Sequence, residues 1–122
     1  MSDRKIEISV EEQEGLTVVT VNGALDSSNL RQFKNEMDPL FDDADKNIIM
    51  DCSDLSYASS QVFGLLSCYN KTSNAKNRCF ALCQVSTQMY NILDILGLVP
   101  VFRLFENREE AIKEVQRLTQ AQ

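Results

Sequence analysis

The stretch NIIMDCSDLSYASSQVFGLL, residues 47–66, decides the fold. Ile48, Ile49 and Met50 form a short apolar run that ends in Asp51-Cys52-Ser53-Asp54, the pattern of an interior strand passing into a loop. Leu55 and Tyr57 alternate with polar neighbours, which keeps the chain extended to about Tyr57. From there Val62, Phe63, Leu65, Leu66 and Tyr69 recur at helical spacing. Ser59 and Ser60 therefore stand where a strand gives way to a helix. A serine at such a junction has two chemistries open to it. Its oxygen can cap the helix by accepting a hydrogen bond from a first-turn amide. Its hydroxyl can also be presented for phosphorylation, because a helix N-terminus tolerates an anion well.

Upstream, Ile6-Glu7-Ile8-Ser9-Val10-Glu11 alternates as a half-buried strand does. Glu14-Gly15 marks a turn into the β-branched run Leu16-Thr17-Val18-Val19-Thr20-Val21, so the two segments form a hairpin, and Asn22-Gly23 ends the second strand. Asp26, Ser27 and Ser28 offer caps for a helix with Leu30, Phe33, Met37 and Leu40 on one face. Pro39 is expected to kink or end that helix near Met37-Asp38, with one further turn beyond. Downstream, residues 71–77 read as a polar loop and residues 79–84 as another interior strand. Ser86 or Thr87 opens a helix carrying Met89, Ile92, Leu93 and Leu96, and Gly97 stops it. Residues 101–105 alternate as a short strand. Asn107 with Glu110 resembles a capping box for a last helix with Ala111, Ile112, Val115 and Leu118 on its apolar face.

The order β-β-α-β-α-β-α-β-α implies parallel pairing with right-handed crossovers plus one antiparallel hairpin. The expectation is a single α/β domain spanning residues 1–122. It has a mixed, mainly parallel sheet of four to five strands packed with about four helices as one α/β layer pair.

Composition closes several functional classes. The net charge is −6, and the twelve basic residues are scattered, which argues against nucleic-acid binding. The chain has no histidine, so Ser-His-Asp and Cys-His catalysis and His-containing zinc sites are absent. Cys52, Cys68, Cys79 and Cys83 have no C-x-x-C spacing. Cys79 and Cys83 fall on one strand face and read as small buried hydrophobes, and all four as reduced thiols. Asp51 and Asp54 have the oxygen chemistry for Mg²⁺, but without a phosphate-binding glycine loop the favoured role is loop solvation. No cofactor or metal is expected. No apolar run reaches membrane-span length and the N-terminus lacks a signal-peptide core, so a cytoplasmic location is expected.

Gly23-Ala24-Leu25-Asp26, the run from Asp51 to Ser60, and Leu93-Asp94-Ile95-Leu96-Gly97-Leu98 followed by Val101-Phe102 occur in an order that resembles the STAS domain family. That family includes the bacterial anti-sigma factor antagonists. The resemblance extends from about Ile6 to Leu118. In the family the second helix typically opens Asp-Ser-Ser-Gly-Leu-Gly, and the first serine accepts phosphate from an anti-sigma factor that is also a serine kinase. Laid on this chain without gaps, that serine is Ser60. Ser59 takes the aspartate position and becomes a second candidate acceptor. Gln61 takes the second serine, Val62 the first glycine and Gly64 the second, while the family's acidic residue after the second strand falls on Asp26. Ser59 and Val62 are departures from the pattern.

The resemblance implies a non-catalytic, phosphorylation-gated regulator. It would bind an anti-sigma factor/serine kinase and be reset by a serine phosphatase. Its contact surface would comprise Asp26, Ser27, Ser28, Gln61, Phe63 and Gly64. For Phe63, Gly64, Ser67 and Cys68 two readings stand: close packing of the helix on the sheet, which is favoured, or a partner groove with Phe63 as an exposed anchor. The alternative is a non-phosphorylated STAS scaffold or transport-system subunit. The first strand, if exposed, also offers an edge for homodimer pairing.

Overall fold

Glu14 (φ 54°) and Gly15 (φ 82°) turn the chain between β1 (Glu7–Gln13) and β2 (Leu16–Leu25). Two successive positive-φ residues give the turn whose twist matches that of the flanking strands. The computed structural model describes residues 5–43 and 46–120. After the hairpin come α1 (Leu30–Asp42), β3 (Ile48–Asp51), β4 (Leu55–Ala58), α2 (Ser60–Ala75), β5 (Phe80–Cys83) and α3 (Thr87–Ile95). A 3₁₀ turn (Val99–Val101), β6 (Arg103–Phe105) and α4 (Arg108–Gln120) complete the order. The sheet runs β1-β2-β3-β5-β6, with β1 antiparallel and the rest parallel. β4 is a sixth strand, formed by residues expected only to be extended, and it pairs in parallel with the far end of β2.

That pairing exists because β2 does not stop at Gly23. The register shifts between Gly23 and Ala24, and Gly23 adopts φ 122°. A Cβ there would lie 3.3 Å from the Lys5 carbonyl oxygen and from Ile6 Cγ2. Glycine therefore lets the strand bend under the N-terminal segment and continue to Leu25.

The period-2 pattern splits the core in two. Val19, Val21, Ile48, Met50 and Leu82 face α1, α2 and α3, which contribute Phe33, Met37, Val62, Phe63, Leu66 and Leu93. Leu16, Val18, Ile49, Ala81 and Cys83 face α4 through Ala111, Ile112 and Val115. The single layer pair expected from sequence thus becomes three layers. β3 and β5 are buried at every residue because both of their faces are covered.

Pro39 does not end α1, which continues to Asp42. Tertiary contacts hold its last turn in place of the lost backbone bond. The Phe41 ring stacks on Tyr69 at 4.2 Å and meets Phe80 edge-on at 5.0 Å. The Tyr69 hydroxyl donates to Asp38 at 2.6 Å, and Lys76 Nζ donates to the Phe41 and Asp42 carbonyls at 2.8 and 3.2 Å. α2 likewise outruns expectation, taking in residues 71–75 of the anticipated loop. It closes when the Arg78 and Asn77 amides donate to the Ser73 and Asn74 carbonyls, with Asn77 at φ 58°. Among the described residues, no helix is long and apolar enough to cross a membrane.

Candidate functional site

The parallel register of β2 and β4 aligns Leu25 with Ala58. The residues that follow, Asp26 and Ser59, therefore emerge side by side, and the Ser59 amide donates to the Leu25 carbonyl at 3.0 Å. This juxtaposition merges the β2–α1 loop and the start of α2 into one surface at the C-terminal ends of the parallel strands.

Neither serine of the pair caps α2 through its side chain. Ser59 occupies the N-cap position with extended backbone (φ −76°, ψ 165°) but makes no side-chain cap bond. Its Oγ is buried with no hydrogen-bond partner. Ser60 is the first helical residue and is exposed. At α3, by contrast, Ser86 Oγ accepts from the Met89 amide at 3.1 Å. The contrast gives a paired prediction for thermal or denaturant melts. Ser86→Ala costs about 1 kcal/mol. Ser59→Ala is neutral or stabilising by less than about 1 kcal/mol, because it removes a hydroxyl that is already desolvated and unpaired.

In the adjoining loop, the Ser28 amide and hydroxyl both donate to Asp26 Oδ1, at 2.9 and 2.6 Å. The Asp26 amide donates to Asn29 Oδ1 at 3.0 Å, and Asn29 Nδ2 donates to the Ala24 carbonyl at 2.7 Å. Asp26, Ser27 and Ser28 are therefore not the caps expected for α1. Asn29 holds the N-cap position, also without a side-chain cap bond. The Asp26 carboxylate folds the loop tip, and the 4 % exposed Asn29 ties the loop back to β2.

Along α2, Gln61 and Gly64 are exposed. A Cβ on Gly64 would meet nothing within 4 Å. Phe63 is fully buried, which agrees with the packing alternative for this residue and corrects its place on the expected contact surface. Its place in the helix turns it toward the sheet with Val62 and Leu66. Val62, at the family's glycine position, fills the core in the same way. The outward strip of α2 is Ser60, Gly64 and Cys68, at helical spacing of four.

Sequence reading passed over Arg108. Its guanidinium donates to Asp51 Oδ2 at 3.0 Å, Glu11 Oε1 at 2.7 Å and Thr20 Oγ1 at 2.9 Å. It thereby joins α4 to β1, β2 and β3 on the sheet face opposite α2. Burial pushes the Asp51 carboxyl up. Hydrogen bonds from the Ser53 amide and side chain, together with Arg108, outweigh that effect and hold it below the usual carboxylate range. A basic residue opening a helix opposes the usual charge preference, and that was the one signal available. Tyr57, expected to be extended, lies in β4 and is 40 % exposed while Leu55 is buried. Among the cysteines, Cys52, Cys79 and Cys83 are buried and Cys68 is exposed, all as free thiols. Burial pushes the Cys83 thiol up to about 12, far from a reactive thiolate.

Comparison with known proteins fits this geometry. Residues 7–111 match the STAS domain family. The chain is 23% identical over 112 residues to the anti-sigma F factor antagonist of Paenibacillus polymyxa, covering 91% of this chain and 96% of that protein. It is similar to the crystal structure of an anti-sigma factor antagonist from Mycobacterium paratuberculosis, with TM-score 0.84, 19% identity, and 92% and 95% of the two chains covered. It is also similar to the Bacillus cell fate determinant SpoIIAA in its phosphorylated form, with TM-score 0.70, 22% identity, and 89% and 99% covered. With the strand order, the bulged β2 and the serine pair at the start of α2, the chain belongs to the STAS domain family.

Proposed function

We propose that this STAS domain is an anti-sigma factor antagonist, a non-catalytic partner-switching regulator that works in the cytoplasm and is gated by phosphorylation of Ser60. The observation that carries the reading is the unequal exposure of the two serines. Ser60 presents an accessible hydroxyl on the first residue of α2, whereas the Ser59 oxygen is buried. The relatives named as anti-sigma factor antagonists, and the similar SpoIIAA structure in phosphorylated form, support the same reading. The partner is an anti-sigma factor with serine-kinase activity, and a serine phosphatase resets the switch.

Unmodified, the domain offers the partner Ser60, Gln61 and Gly64 on α2 together with the Asp26, Ser27 and Ser28 loop. Phosphorylation adds about −1.5 to −2 charges at neutral pH. Free amides and the helix dipole at the start of α2 favour that anion, so the fold persists. The interface does not, because burying an unpaired dianion against a partner is heavily disfavoured. Incubation with ATP and the cognate kinase, read by intact mass, tests the assignment. One phosphate is added to wild type and to Ser59→Ala, and none to Ser60→Ala. Failure of every native kinase to modify the wild type would overturn it.

Gly64 supplies a separate prediction. It sits inside a helix with open space where a Cβ would stand, so Gly64→Ala raises folding stability by roughly 0.5–1 kcal/mol. The added methyl stands on the contact strip and weakens partner binding. Melting and binding then move in opposite directions, which a purely structural glycine would not produce.

A further inference from the structure

The three tyrosines are used unequally. Tyr69 is spent inside the fold, with its ring on Phe41 and its hydroxyl on Asp38. Tyr57 and Tyr90 are 40 % and 45 % exposed, and neither side chain makes a hydrogen bond or ring contact among the described residues. Both stand at the same end of the molecule as Ser60. Tyr57 lies on β4, two residues before the serine pair, and among the described residues β4 pairs only with β2, so no strand is paired on its other edge. Tyr90 lies in the first turn of α3, just after β5 ends. Beside it is an open groove of about 320 Å³ lined by Val85, Tyr90, Leu104, Phe105 and Glu106. Tyrosine is enriched among side chains that dominate binding, because it supplies rigid apolar area and a polar tip at low entropic cost.

We infer that Tyr57 and Tyr90 are the anchors on which the partner seats. The groove beside Tyr90 receives one apolar partner side chain, and Glu106 faces a basic partner group. The occupant is the anti-sigma factor, so the inference rests on the proposed function above. Charge complementarity supports a basic contact segment: Asp26, Asp54 and Glu106 lie in the loops at this end, and the chain carries −6 overall. Phe63 is unavailable for this role because it is buried. Two tyrosines set apart from Ser60 also give the switch its logic. They supply affinity in the unmodified state, and a phosphate on Ser60 brings a dianion to the interface they hold closed.

The test measures binding of the full chain to its native anti-sigma factor, by calorimetry, for wild type, Ser60→Glu, Tyr57→Ala, Tyr90→Ala and Ile95→Ala. Ile95 is the control: it is 83 % exposed and apolar but lies at the opposite end of α3. Each tyrosine variant is expected to lose about tenfold or more in affinity, with melting temperature nearly unchanged, while Ile95→Ala binds as wild type. If wild type binds, Ser60→Glu does not, and both tyrosine variants keep wild-type affinity, the anchor assignment falls and the switch stands. Loss in Ile95→Ala as large as in the tyrosine variants also overturns the assignment. No binding by wild type removes the assignment together with the function it rests on.

Discussion

Phe63→Ala lowers folding stability by about 3–5 kcal/mol, the range for emptying a buried aromatic site, and drops the melting temperature on the order of 10–20 °C. The ring is fully buried in the core between the sheet and the helices on the α2 face. Its neighbours along the helix, Val62 and Leu66, are also fully buried, so they have little room to collapse into the cavity. Gln61→Ala, two residues earlier and exposed, is expected to stay within about 0.5 kcal/mol of wild type. Urea melts of the two variants separate the readings of this helix. A Phe63→Ala protein as stable as wild type would return Phe63 to the surface and void the packing described for α2.

The second large effect is at Arg108. Arg108→Met is expected to cost about 2–4 kcal/mol, somewhat less than for a fully buried pair because the arginine side chain is 29% exposed. Most of the cost comes from stranding Asp51, whose side chain is only 7% exposed. The double variant Asp51→Asn with Arg108→Met should recover part of the loss, and a double-mutant cycle measures the coupling. pH gives a second readout. The folded Asp51 carboxyl lies below its unfolded value, so its contribution is present above the unfolded carboxylate range near pH 4 and is lost as pH falls through the folded value. Wild type should therefore lose stability more steeply than Arg108→Met as the solution is acidified below about pH 4. Parallel acid sensitivity in the two proteins would contradict this account of the network.

Local patterns carried most of the architecture. The Glu14-Gly15 turn, the Ser86 cap, the Gly97 stop and the hydrogen bond from the Glu110 amide to Asn107 Oδ1 all appear where expected. Each depends on residues close in sequence. The misreadings share the opposite property. β4 forms because β2 passes its glycine, and the strand contact is 33 residues distant along the chain. α1 survives Pro39 because Tyr69 and Lys76 arrive from another helix. Arg108 works through partners on three strands, the farthest in sequence being Glu11. For the site, helical spacing located the serine pair but could not say which hydroxyl is accessible. That difference arises from the β2–β4 register, which aligns Leu25 with Ala58 and fixes the backbone of Ser59 against β2. Phe63 is buried and Tyr57 exposed for a related reason. Burial of an aromatic depends on which layer covers it, and periodicity alone does not reveal that.

The switch itself is tested most directly by one comparison: the affinity of the native anti-sigma factor for the unmodified domain and for the same preparation phosphorylated on Ser60, measured by calorimetry with melting curves alongside. The expected result is binding by the unmodified form and a loss on the order of 100-fold after phosphorylation, with the melting temperature moved by only a few degrees. Equal affinity of the two forms, or a phosphorylated form that has unfolded, would contradict a Ser60-gated interface.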